Sequence, residues 1–201
     1  MFTESTKKPK TTYHISAENR AYWLSRSFVN PAHYAALTST QILLVPREDY
    51  QQQPDPVFPS GTLDILHHLT GGQMSSADFR ILCGEESYRE LNLRSETIWF
   101  PSFLLTNVAL PLLLSALYDY LKAAVLRRRR SSTDIDLTFT IEAPDGKAVT
   151  CTYRGAVSDF APSMKALLQE VRSDSRVLDE LPSQDLTSTL AAINHLNDNE
   201  L

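Results

Sequence analysis

TIWFPSFLLTNVALPLLLSALY, residues Thr97–Tyr118, runs 22 residues without a charge, and the block Arg127-Arg128-Arg129-Arg130 follows soon after. How this stretch is buried decides the fold. A bilayer-spanning helix needs about 20 apolar residues, so length alone is sufficient. Trp99 and Tyr118 stand near the ends, as interfacial aromatics would. Three features point instead to burial in protein. Arginines on the C-terminal flank would hold that flank in the cytoplasm and oblige everything before residue 97 to cross the bilayer. Pro101 and Pro111 interrupt the run, and Pro111, lacking a backbone donor, suits the first turn of a helix; what remains up to Leu126 is too short to span. Residues 110–126 are also amphipathic, with Leu110, Leu113, Leu117, Tyr120, Leu121 and Ala124 on one side of a helical wheel and Ser115, Asp119 and Lys122 on the other. Residues 101–130 are therefore read as a long apolar central helix with its arginine block, covered by polypeptide.

Around this segment the composition is that of a globular protein: 201 residues, 42% hydrophobic and 21% charged, enough for one large domain or two small ones. The net charge of −5 is unevenly placed, +2 over residues 1–130 and −7 over residues 131–201. An acidic C-terminal third argues against a general nucleic-acid binder, which needs a basic face to neutralise phosphates. Cys83 and Cys151 form neither a disulfide framework nor a Cys/His cluster with metal-ligand spacing, and a reducing cytosol suits them. No apolar h-region follows the lysines of the first ten residues, so no signal peptide is expected and the location is read as cytoplasmic.

Upstream, residues 1–12 are polar and read as disordered. Residues 13–100 read as an irregular α+β region, mostly β. Ser16, followed three residues later by Asn19, is the start signal for a first helix carrying Tyr22, Trp23 and Phe28, which Pro31 ends or follows with a new turn. Ile42–Val45 is a short β-branched and aliphatic run that reads as a buried strand. Thr62–Leu69 is open between strand and helix, and Gly71-Gly72 ends it; Phe79–Cys83 and Thr97–Phe100 read as strands.

Downstream the pattern is cleaner. Ile135, Leu137, Phe139 and Ile141 alternate with Asp136, Thr138, Thr140 and Glu142, the signature of a half-buried strand. Pro144-Asp145-Gly146 supplies turn chemistry, and Val149, Cys151 and Tyr153 resume the alternation, so 134–154 is a hairpin. Gly155 should break the strand. Ser158 or Asp159 should cap a helix whose Met164, Leu167, Leu168 and Val171 fall at i, i+3, i+4, i+7. Residues 131–175 thus read as a two-layer hairpin-helix unit, and 176–201 as an acidic helical tail. The fold class is α+β: a β-rich N-terminal half, a long apolar central helix, and the hairpin-helix unit.

No catalytic, cofactor-binding or metal signature emerges. His67-His68 is the only histidine pair, and adjacent residues diverge in either helix or strand, which makes them poor joint ligands. No Gly-rich phosphate loop, zinc-protease or nucleophile-elbow motif is present. Glu85, Glu86 and Glu90 near Asp78 read as solvated loop acids.

Phe100–Leu105, Leu110-Pro111, Tyr118–Lys122, Asp145-Gly146 and Tyr153-Arg154-Gly155, in that order over about half the chain, resemble small uncharacterised bacterial proteins of mobile and anti-phage defence loci. The resemblance implies an accessory or sensing component and supplies no catalytic residues. Joined to the missing chemistry and the apolar helix, it yields the expectation of a non-enzymatic adaptor or structural subunit of a multi-protein bacterial assembly. A protein partner or a second copy would dock on Leu104, Leu110, Leu113, Leu117, Tyr120 and Leu121. Arg127, Arg128, Arg129 and Arg130 are candidates for anion binding, with nucleic acid the less favoured partner. The alternatives are a membrane-associated component anchored by residues 97–126, and a hydrolase or nuclease with an unfamiliar site.

Overall fold

The computed structural model describes residues 8–47, 56–71, 79–91, 97–128 and 133–174. Strand β1 (Lys10–Ser16) precedes helix α1 (Arg20–Leu24), whose N-cap is Asn19; its side-chain oxygen accepts the Tyr22 N–H at 2.9 Å. A 3₁₀ turn opened by Pro31 leads into α2 (Tyr34–Ser39), and then comes β2 (Ile42–Val45), buried at every position. The short β3 (Phe58–Pro59) runs into α3 (Thr62–Gly71) across Gly61, which sits at φ +89° where other residues are strained. Strand β4 (Phe79–Ile81) follows, and β5 (Glu90–Leu91) pairs in parallel with β3. Strands β6 (Ile98–Trp99) and β7 (Ser102–Thr106) lead through a 3₁₀ turn into α4 (Leu110–Arg128). The hairpin of β8 (Asp134–Glu142) and β9 (Ala148–Ala156) precedes α5 (Phe160–Ser173).

The large sheet has the order β1-β9-β8-β7-β2-β4, and β6 pairs with β8 alongside β7. Strands β6 and β7 share one lane. Ile98 aligns with Ile135 but Phe103 with Phe139, so one extra residue is accommodated at Phe100-Pro101, where proline cannot donate to a ladder. The β7–β8 and β2–β4 pairs are parallel, with α4 in the first crossover and α3 in the second. The β1–β9, β8–β9 and β2–β7 pairs are antiparallel, which makes the sheet mixed.

Strand alternation separates two faces. Ile42, Leu44, Phe103, Leu105, Phe139, Ile141, Val149 and Cys151 point to one, where α3, α4 and α5 complete the main core. Leu43, Val45 and Leu104 point to the other and form a smaller core with Trp23, Val29 and Leu37 from α1, α2 and the link between them. Arg20 ties this second layer down: its Nε donates to Glu142 Oε2 at 3.2 Å and an Nη to the Leu37 carbonyl at 2.6 Å. Farther along the same face the sheet turns to threonine, and the Thr140 and Thr150 hydroxyls meet at 2.8 Å.

The uncharged stretch is therefore not one helix. Its first part is strand, and Phe103, Leu104 and Leu105 carry no polar alternation because both faces of β7 are covered. The helix begins at Leu110 with Pro111 in its first turn, as the proline suggests. Its buried stripe is wider than the wheel indicates, taking in Leu114 and Tyr118 as well as Leu110, Leu113, Leu117 and Leu121. Among the described residues no helix is long and apolar enough to cross a membrane, and residues 98–99 and 102–106 of the expected anchor lie in the sheet.

Other expectations shift too. Residues 10–12 belong to β1, where pairing with β9 supplies the order that their polar side chains do not announce. Ser16 ends that strand and is not a helix cap. Strand β8 is not half-buried: its polar-face residues Asp136 and Thr140 are buried as well, because β8 lies inside the sheet. Gly155 lies within β9, which runs on to Ala156, and α5 begins after a 3₁₀ turn at Val157–Asp159 with no side-chain cap bond. Met164, Leu167, Leu168 and Val171 are buried as their spacing requires. The 131–175 unit is no separate layer, since β8 also pairs with β7. The acidic tail 176–201 lies outside the described residues, as do residues 1–7 of the N-terminal segment.

Candidate functional site: a cleft along the edge of the sheet

Strand β4 ends the large sheet, with α2 on one side of it and α3 on the other. Between them a cavity of about 610 Å³ runs past the strand. Ala36 and Leu37 of α2 and Leu63 and Leu66 of α3 form its walls, Phe79 and Ile81 lie along its floor, and Cys83, Glu85 and Tyr88 stand where the chain leaves β4. The walls come from both layers of the molecule because the cleft wraps the edge of the strand that separates them.

The backbone at this edge has a definite polarity. Leu82 donates its N–H to the Leu44 carbonyl at 3.0 Å, so the pleat turns the N–H and C=O of Phe79 and Ile81 the other way, towards the cleft. Among the described residues no strand pairs with that outer edge. Leu63 is 41% exposed at the mouth, a large apolar side chain left to water beside an edge that no described strand covers.

Two titratable groups here, Cys83 and Tyr88, are held neutral. Burial pushes the Cys83 thiol up to about 11, against a smaller opposing effect of its own backbone hydrogen bond and of Arg89. A thiol in that state is a poor nucleophile at neutral pH. Burial, with the hydrogen bond to Glu90, also pushes the Tyr88 hydroxyl up. Tyr88 stacks on Phe58 with ring centroids 5.1 Å apart, which fixes this end of the cleft. Glu90 itself accepts from the Gly61 and Leu63 N–H groups at 3.2 and 3.4 Å, so it caps the start of α3.

The residues singled out from sequence fare differently. Leu104, Leu110, Leu113, Leu117 and Leu121 are fully buried in the chain's own core, and Tyr120 is half-buried with its ring against Phe100 and His68. The α1–α2 layer already covers Leu104, and the main core takes up the α4 residues. Arg127 and Arg128 close α4, while Arg129 and Arg130 lie outside the described residues, as does Asp78. His67 and His68 occupy α3 and diverge, and among the described residues no three metal-ligating side chains converge. The cleft itself was hidden in the sequence, since Leu37, Leu66 and Ile81 lie on three separate elements. Comparison with known proteins finds no matching family model, no similar curated protein and no similar solved structure.

Proposed function

We propose that the chain is a non-enzymatic adaptor subunit that captures an extended, apolar segment of a protein partner in the cleft beside β4. The observation that carries this reading is the combination at one edge: outward backbone N–H and C=O groups of Phe79 and Ile81 between two apolar walls. Strand addition of this kind draws affinity from main-chain hydrogen bonds and selectivity from flanking side-chain pockets. A partner segment would place alternate side chains towards Leu63 and Leu66 on one wall and Ala36 on the other. The neutral state of Cys83 and Tyr88 suits a binding surface better than a reacting one. The resemblance seen in the sequence adds the setting, a bacterial multi-protein assembly of a defence or mobile locus acting in the cytoplasm, so the product of a neighbouring gene is the partner to try first.

The test is site-specific photocrosslinking in the native host. Benzoylphenylalanine in place of Leu63 should give a defined adduct, and the same group in place of exposed Asp119 on α4 should not. The A36R substitution, which fills one wall, should abolish the adduct while the circular dichroism spectrum is retained. An adduct from position 119 only, or one that survives in folded A36R, would overturn the proposal.

A further inference from the structure

On the face of the sheet away from the main core, strand register places Lys10, Arg154, Asp136 and Trp99 in one row across β1, β9, β8 and β6. Asp136 is only 3% exposed. Both its oxygens are engaged by guanidinium groups: Oδ1 by Arg47 at 3.0 Å, and Oδ2 by Arg154 Nε. Arg47 also lies over the Trp99 ring, 5.0 Å from its centroid. Beside this row opens a cavity of about 430 Å³, lined among others by Lys8, Lys10, Trp99, Asp134, Asp136 and Arg154.

The arrangement is costly for a fold that needs only stability. A buried ion pair seldom contributes more than packed apolar side chains would, and like charges directly opposite on a ladder, here Lys10 and Arg154, repel. What the pair with Asp136 does is hold Arg154 in one orientation while its side chain stays 60% exposed at the cavity. Lys8, Lys10 and Arg154 line the cavity with Asp134 and Asp136, three cations to two acids, and Arg47 pairs with Asp136 beside it, in a chain whose net charge is −5. Guanidinium and ammonium donors converging from separate strands match the oxygens of a phosphate. The indole beside them matches a flat ring, since base-aromatic stacking tolerates many ring types.

We propose that this cavity binds a small phosphate monoester carrying an aromatic ring, of the mononucleotide class, with the phosphate on Lys10 and Arg154 and the ring against Trp99. Asp136 is a positioning residue for the two arginines. The site lies on different strands from the β4 cleft and stands independently of the adaptor reading.

Isothermal titration of the full chain with adenosine 5′-monophosphate, adenosine and inorganic phosphate tests it. The monophosphate should bind, and each of its two halves should bind at least tenfold more weakly. K10A and R154A should each weaken monophosphate binding at least tenfold with the melting temperature within a few degrees of the parent. D136N should weaken it as well, and the affinity of the parent should fall with added salt. No binding of the monophosphate, equal binding of phosphate alone, or unchanged affinity in folded K10A and R154A would each overturn the proposal.

Discussion

Cys151 faces the main core of β9 with no exposure, and burial pushes its thiol up to about 12 from an ordinary 9.0. The unfolded chain therefore ionises first, so the stabilisation is fully present below pH 9 and is lost as pH rises from 9 towards 12, by up to about 1.4 kcal/mol per pH unit. Tyr153, also pushed up by burial, acts in the same direction from about pH 10. Thermal melts followed by circular dichroism should be flat from pH 7 to 9 and then decline, and C151A, though lower at the start, should decline less steeply. Native protein at pH 8 should also leave Cys151 unlabelled by a thiol reagent until denaturant is added. Gly155 presents a different constraint. Its φ is ordinary, but a Cβ there would meet Pro9 Cβ at 2.9 Å and Tyr153 Oη at 2.9 Å. Gly155→Ala should therefore cost about 1–3 kcal/mol by overpacking, read as a drop in urea midpoint at unchanged m-value.

Among the elements, α4 separates the two functions that an apolar helix can have. Leu117 has no exposure and packs within the main core, so Leu117→Ala should destabilise by about 2–5 kcal/mol. An interface leucine would instead leave the monomer's stability nearly unchanged, and chemical denaturation of the variant distinguishes the two. Legibility in the sequence followed periodicity. The β8–β9 hairpin and the α5 stripe were readable because each keeps one period over many residues and brackets its own turn chemistry, with Gly146 at φ +84°. Strand β7 was misread as helix because a strand covered on both faces loses its alternation and becomes an apolar run like any other. Strand β1 was missed for the opposite reason: Lys10, Thr12 and His14 face solvent at an edge, and its order comes from a partner far along the chain. The cleft could not be read at all, since its walls are assembled by the topology of β2, α3 and β4.

For the whole molecule, the parallel β7–β8 pair joins halves that the sequence suggested were separable. Phe103 stands opposite Phe139 and Leu105 opposite Ile141, so the hairpin and α5 share one core with everything before them. A fragment of residues 131–201 should accordingly lack a folded near-ultraviolet signal, whereas the intact chain should unfold in one cooperative transition. A fragment with dispersed amide resonances would show instead that the hairpin unit is autonomous. The pairing of β1 with β9 sets Lys10 against Arg154 and Ser16 against Ala148. During synthesis β1 must then wait, unpaired, until β9 has been translated. Closing so distant a loop makes the nascent chain slow to finish and dependent on the unengaged β1 being shielded from neighbours in the meantime.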